Sequence, residues 1–182
     1  MFVEDDQLAA QIADLTAICC VELFAAYGVT LTSRATEFID SEELLLSGVI
    51  GFIGPALRGT CLLVANRAPI ELSSPQKDLT RDWVGELTNQ LVGRLKRKFL
   101  GFGLEVALTT PVVLSGLHLR PMPRGKLSPR TFSTESGSIM VWLEVEAEPG
   151  FELGPAVSDS ISAEGEVLML DSIGTQESHV LE

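Results

Sequence analysis

From residue 5 onward, apolar side chains recur at Leu8, Ile12, Leu15, Cys19 and Leu23, a three-and-four spacing that gathers them on one face of a helix. Asp5 and Asp6 stand before this run and Gly28 after it, so the pattern predicts a helix over 5–27 with a start and a stop signal. Leu31 to Arg34 and Glu42 to Ile53 follow. The second of these is apolar but punctuated by Gly48, Gly51 and, just beyond, Gly54. Glycines at that density weaken a helix interior, so the run predicts a strand with close backbone contacts. Gly54 to Gly59 reads as a turn and Thr60 to Ala65 as a second strand. The pair is expected to form an antiparallel hairpin whose loop exceeds the tight two-residue kind.

Arg67 to Leu79 carries Pro69, Pro75 and Ser73-Ser74 and reads as a loop. Thr80 then caps a second helix that runs to about Leu100, with Asp82 and Glu86 early and Arg94, Lys96, Arg97 and Lys98 late. That order of charge complements the helix dipole at both ends, and Gly101 and Gly103 stop the helix. Further strands are expected at Glu105 to Ser115, Arg130 to Ser136 and Ile139 to Glu148, with Gly137-Ser138 as the turn between the last two. In the final strand Met140, Trp142, Glu144 and Glu146 share one face. Gly116 to Pro129, with three prolines, reads as a solvated loop. The sum is an α+β domain: a mostly antiparallel sheet with two long helices packed against it.

A chain of 182 residues with 46% apolar composition can bury one sizeable core. Residues 1–148 are assigned to that domain and 149–182 to an acidic tail, because from Pro149 onward there are seven Asp or Glu and no Lys or Arg. Short apolar islands such as Val167 to Leu170 interrupt the tail. The formal charge of −12 argues against a nucleic-acid partner, which needs a basic surface. The longest apolar stretches, Ile18 to Tyr27 and Leu44 to Gly54, fall short of the roughly 20 residues that cross a bilayer. Glu4, Asp5 and Asp6 stand where a signal peptide would be basic. A cytoplasmic protein is expected. Cys19, Cys20 and Cys61 lack ligand spacing and read as buried apolar residues. With two histidines outside any cluster, no metal of its own is expected.

The chemistry is sought on the second helix. On a wheel of residues 80–99, Val84, Leu87, Leu91, Val92, Leu95 and Phe99 form one face, and Asp82, Glu86, Asn89 and Gly93 the other. Glu86 and Asn89 are neighbours one turn apart. Gly93 withholds a side chain from the next turn, although Gly in a helix interior costs about 1 kcal/mol relative to Ala. A bare patch there lets another protein's backbone approach. No G-x-S-x-G nucleophile elbow and no G-x-x-x-x-G-K-S/T phosphate loop is present.

Glu86-Leu-Thr-Asn89-Gln-Leu-Val-Gly93 resembles the E-x-x-N…G helix of the CheC/CheX/FliY chemotaxis phosphatases, and Asp82 fits its D/S-x-x-x-E-x-x-N form. Ile50 to Leu63 resembles that family's glycine-punctuated hairpin, and Pro111 to Gly116 its P-x-x-x-x-G strand. The resemblance covers roughly residues 42 to 148. It implies a CheX-like fold and hydrolysis of the aspartyl phosphate of a CheY-like response regulator. Asn89 would position the attacking water, Glu86 would orient the complex, and Asp82 and Gly93 would belong to the partner-binding surface. Mg²⁺ would reside on the partner. A single E-x-x-N motif favours the CheX-like arrangement, whose relatives pair as dimers.

One departure stands out: the family usually carries another helix between the second strand and the motif helix, where Arg67 to Leu79 reads as a loop. That departure and the acidic tail support an alternative, a non-catalytic CheX-like interaction domain binding a signalling partner. A flagellar-switch-like structural component is the third reading.

Overall fold

The computed structural model describes residues 2–3, 5–34, 39, 42–76, 79–117, 119 and 129–154. Three helices and seven strands occur among them: α1 (Asp6–Ala26), β1 (Thr32–Ser33), β2 (Leu45–Ile53), β3 (Leu57–Asn66), α2 (Arg67–Ser73), α3 (Thr80–Gly101), β4 (Ala107–Leu108), β5 (Val112–Gly116), β6 (Arg130–Thr134) and β7 (Gly137–Ala147). The strands make one sheet in the order β1-β6-β7-β3-β2, with β4 and β5 both lying along the outer edge of β2, and all their pairings are antiparallel. The α+β reading with an antiparallel sheet and two long helices is the fold observed.

Strand alternation decides which face the helices cover. Leu46, Ile50 and Phe52 of β2, Leu57, Cys61, Leu63 and Ala65 of β3, and Ile139, Val141, Leu143, Val145 and Ala147 of β7 are buried in the main core. α1 and α3 bring Leu8, Ile12, Leu23 and Phe24, and Val84, Leu87, Leu91, Leu95 and Phe99, to the same core. Each of the Val, Leu, Ile and Phe side chains among them contributes about 1.5–3 kcal/mol through burial. The opposite face of the sheet carries a smaller cluster of Leu45, Leu62, Val64, Met140 and Trp142, with Ile39 and Leu119 over it. Phe151 and Leu153, beyond β7, also pack on the main core.

Helix ends follow local chemistry. Asp5 caps α1, its Oδ1 accepting from the N–H groups of Gln7 and Leu8 at 2.9 Å. Both long helices close with a glycine in the left-handed region, Gly28 at φ 75° and Gly103 at φ 73°. Val29 N–H and Leu104 N–H then reach back to Phe24 O and Phe99 O at 2.9–3.0 Å, which satisfies carbonyls left over at the helix end. At its start α3 differs from the expectation: Leu79 occupies the cap position, no side chain caps it, and Thr80 is the first helical residue, buried. α1 also differs, because its 21 residues make it long and apolar enough by length and composition to cross a membrane. Its inner face nevertheless packs on α3 and β7 within the core.

The largest correction concerns Arg67 to Leu79, where α2 occupies Arg67–Ser73. Pro69 falls in the first turn, where backbone N–H groups have no helical partner, so its missing donor costs nothing there. Arg67 Nε bonds Glu71 Oε1 at 2.5 Å, one turn apart, and Ile70 is fully buried. The intervening helix taken as missing is therefore present. A smaller correction moves the β6–β7 turn to Glu135-Ser136, with Gly137 opening β7 at φ 152°. The β2–β3 loop of Gly54 to Ala56 is longer than two residues, as expected.

The strand expected over 105–115 is broken in two. Phe52 pairs with Leu108 and Val49 with Val112, so Thr109, Thr110 and Pro111 stand opposite only Ile50 and Gly51. This is a β-bulge, and Pro111, which has no N–H to give, sits inside it. Thr109 stitches the bulge to β2: its N–H donates to Gly51 O at 2.9 Å, and its Oγ1 accepts from Gly51 N–H at 2.8 Å.

Candidate functional site

The position of α3 over the sheet is set by two glycines. Gly48 of β2 lies directly under α3: a Cβ built there would stand 2.8 Å from Thr88 Cβ and 3.0 Å from Val84 O. Gly85, on the helix itself, faces β5 with Val113 Cγ2 2.8 Å from where its Cβ would be. Small residues on both sides let the helix backbone approach the sheet closely, and Thr88 turns its hydroxyl back to Val84 O at 2.7 Å. With its apolar stripe held down in this way, the opposite side of α3 is fixed toward solvent.

Asp82, Glu86 and Asn89 are exposed on that side, and Gly93 is half-exposed, so the four residues singled out in the sequence form one ridge. Gly93 has no packing reason for lacking a side chain, because a Cβ there would meet nothing within 4 Å. Asn89 makes no hydrogen bond to any described residue, which leaves its carboxamide free to donate and accept. Among the described residues no group of three or more His, Cys, Asp and Glu could hold a metal ion.

Glu86, by contrast, is held. Gln90 Nε2 donates to Glu86 Oε1 at 2.9 Å, and Tyr27 Oη donates to Gln90 Oε1 at 2.8 Å. The Tyr27 ring meets Trp83 edge to face, with centroids 5.1 Å apart, and Trp83 Nε1 donates to Ser73 Oγ of α2 at 3.0 Å. Ser73 Oγ in turn donates to Ile70 O at 2.8 Å. A carboxylate on a mobile stem is thereby tied through Gln90 to the end of α1 and, through the ring pair, to α2. Sequence reading missed this chain. Its only signal was the single tyrosine of the protein, placed where α1 ends, and Tyr27 and Gln90 are 63 residues apart.

Below Asn89 the surface opens into a shallow groove between α3 and β4, bordered by Asn89, Gly93, Lys96, Arg97, Leu100 and Leu108. The three cysteines lie elsewhere, all buried and free. Burial pushes the Cys19 thiol up to about 11 and the Cys61 thiol up to about 12, and it also raises Cys20. Held neutral, they cannot act as thiolate nucleophiles near neutral pH.

An antiparallel sheet carries a glutamate and an asparagine one turn apart on an outward helix face, and in fold and in part of its sequence the chain is similar to the CheC/CheX/FliY family. Residues 46–125 match the family described as chemotaxis phosphatase CheX, a span that contains the hairpin, α2, α3 and the broken edge strand. Chemotaxis protein CheX from Vibrio vulnificus superposes with a TM-score of 0.63 at 19% identity, over 74% of this chain and 99% of that one. A CheC-like superfamily protein from Shewanella sp. PV-4 gives 0.63 at 19% identity, over 75% and 97%. CheX from Desulfovibrio desulfuricans gives 0.59 at 17%, over 74% and 99%. At these identities the likeness is one of fold. No curated protein matches the chain.

Proposed function

We propose that this protein accelerates hydrolysis of the aspartyl phosphate of a CheY-like response regulator in the cytoplasm, with Glu86 and Asn89 as the working residues. The observation that carries the reading is the free, exposed carboxamide of Asn89 one turn from a carboxylate already held in place by Gln90. An amide can accept a hydrogen bond from water while donating another, and it does so without titrating. Asn89 thus holds a water in line with the phosphorus. The water oxygen bonds to phosphorus as the bond from phosphorus to the aspartyl oxygen breaks. The regulator's carboxylate and inorganic phosphate leave, the water having given up its proton to solvent or phosphate. The work is positioning, and no covalent intermediate forms on this chain.

Glu86 supplies a fixed negative charge to pair with a lysine of the regulator's phosphorylation pocket, which sets the docking register. Asp82 lies one turn away on the same ridge, and Gly93 leaves room for the partner's backbone. Mg²⁺ on the regulator neutralises charge on the transferring phosphoryl group. α2 supports this reading, since a helix occupies Arg67–Ser73 and is linked through Trp83 to the site; a binding module without activity, for which the acidic tail is the other ground, is the alternative that the test below separates.

The test follows phosphate loss from a phosphorylated CheY-like regulator. Wild-type protein is expected to speed the decay. Asn89→Ala is expected to cost about a hundredfold, the scale of losing one positioning contact, while still binding the regulator. Binding without acceleration by the wild type would select the interaction module. Equal acceleration by Asn89→Ala would remove the catalytic role.

A further inference from the structure

The ridge does not end at Gly93. Continuing the helical rotation, Lys96, Arg97 and Leu100 fall with Asp82, Glu86, Asn89 and Gly93 inside an arc of about 100°. One side of α3 therefore runs from two acids, through an amide and a bare turn, to two cations and an exposed leucine. Leu100 is 46% exposed, and Leu108 of β4 faces it across the groove.

Lys96 and Arg97 are set apart from the neighbouring cation. Lys98 is bonded to Glu22 of α1 at 3.3 Å, whereas Lys96 and Arg97 make no ion pair with any described residue. In a chain of net charge −12 with only 13 Lys and Arg, two cations without acidic partners among the described residues, beside the exposed Leu100 and the half-buried Leu108, form a local reversal of sign. Gly93 gives this half of the helix open access to the Asn89 end, and nothing in the packing requires it to lack a side chain.

We infer that the groove of Gly93, Lys96, Arg97, Leu100 and Leu108 is the second half of the docking surface. It takes an acidic segment of the same response regulator, one that presents an apolar side chain to Leu100 and Leu108. This inference rests on the function proposed above and deepens it. The acidic end of the ridge meets the regulator's cation and the basic end its acids, so the order of charge along α3 admits one docking direction and penalises the reverse. The phosphorylated aspartate then faces Asn89 in the middle.

The probe is a CheY-like receiver domain activated with beryllofluoride and Mg²⁺, titrated against full-length protein by calorimetry. Dephosphorylation is measured in parallel. The double variant Lys96→Glu/Arg97→Glu is expected to weaken binding about tenfold or more and to flatten its dependence on salt. In the kinetic assay the loss should appear in KM rather than kcat. Leu100→Ser is expected to weaken binding severalfold with the salt dependence intact, and Lys96→Arg/Arg97→Lys to restore it. Unchanged affinity in the charge-reversed variant would overturn the inference while leaving the Asn89 reading in place. Tighter binding in that variant would overturn it too, because it would mean that the chain's own acidic residues occupy the groove. Binding that responds as expected without any acceleration by the wild type would support the groove and sink the catalytic reading. No binding of the wild type would sink both.

Discussion

Three glycines around α3 should respond to the same substitution in three different ways. Gly93→Ala adds a methyl group into open space on a helix interior, where a Cβ meets nothing within 4 Å. The Gly-to-Ala difference in helix propensity, about 0.8–1.0 kcal/mol, should then appear almost whole as added stability. For a chain of this size that corresponds to a rise in Tm of roughly 2–4 °C. Gly85→Ala offers the same propensity gain, but its methyl would lie 2.8 Å from Val113 Cγ2. The β-branched valine can yield only by leaving its rotamer, so the net effect should fall near zero or below. Gly48→Ala in β2 has no helix propensity to gain and meets Thr88 Cβ at 2.8 Å and the Val84 carbonyl at 3.0 Å. Overpacking of this kind costs about 1–3 kcal/mol. Urea unfolding followed by far-UV circular dichroism, with the m-value checked for constancy, would rank the three variants. A neutral or destabilising Gly93→Ala, or a stabilising Gly48→Ala, would refute the placement of α3. Gly93→Ala should at the same time weaken regulator binding, so that stability and docking move in opposite directions.

Tyr27→Phe removes the hydroxyl that holds Gln90 and should cost about 0.5–1.5 kcal/mol of stability. If the network positions Glu86, the variant should also lose regulator affinity, and Gln90→Leu should show the same binding loss. The buried thiols give a pH dependence of definite sign. Cys19 and Cys61 are raised from 9.0 to about 11 and about 12, so unfolded chains release these protons before the native state does. Their contribution is intact below about pH 9 and drains away between about 9 and 12, at up to about 1.4 kcal/mol per pH unit for each thiol; urea midpoints measured across that range should fall accordingly. Native protein at neutral pH should react with an aromatic disulfide reagent far more slowly than urea-unfolded protein, and fast labelling of the three cysteines in the folded state would contradict their burial.

Much of this architecture was legible because its signals are local. α1 and α3 have apolar stripes at helical spacing and glycine stops, and β7 alternates cleanly between the two faces of the sheet. Glu86 and Asn89 were legible for the same reason, since three residues on a helix fix a shared face. α2 was misread because Pro69, Pro75 and the paired serines were taken as breakers. A proline in a first turn breaks nothing, and the Arg67/Glu71 pair with Ile70 between them was the available counter-signal. The tie from Tyr27 to Glu86 and the bulge opposite Gly51 depend on contacts across 58–63 residues of sequence, which no local pattern encodes. Residues 155–182 of the acidic tail and most of the Gly116–Pro129 loop lie outside the described residues.

The interrupted outer edge of β2 bears on how two copies of this protein could associate. A visiting strand that matched the hydrogen-bonding groups of β5 would arrive one residue out of step with β4, because Thr109, Thr110 and Pro111 stand opposite only two residues of β2. The shift in register therefore caps continuous growth of the sheet on that side at the five residues of β5. Self-association by extending the sheet is blunted there, and a pair of copies would be held more readily by side chains than by a shared backbone ladder.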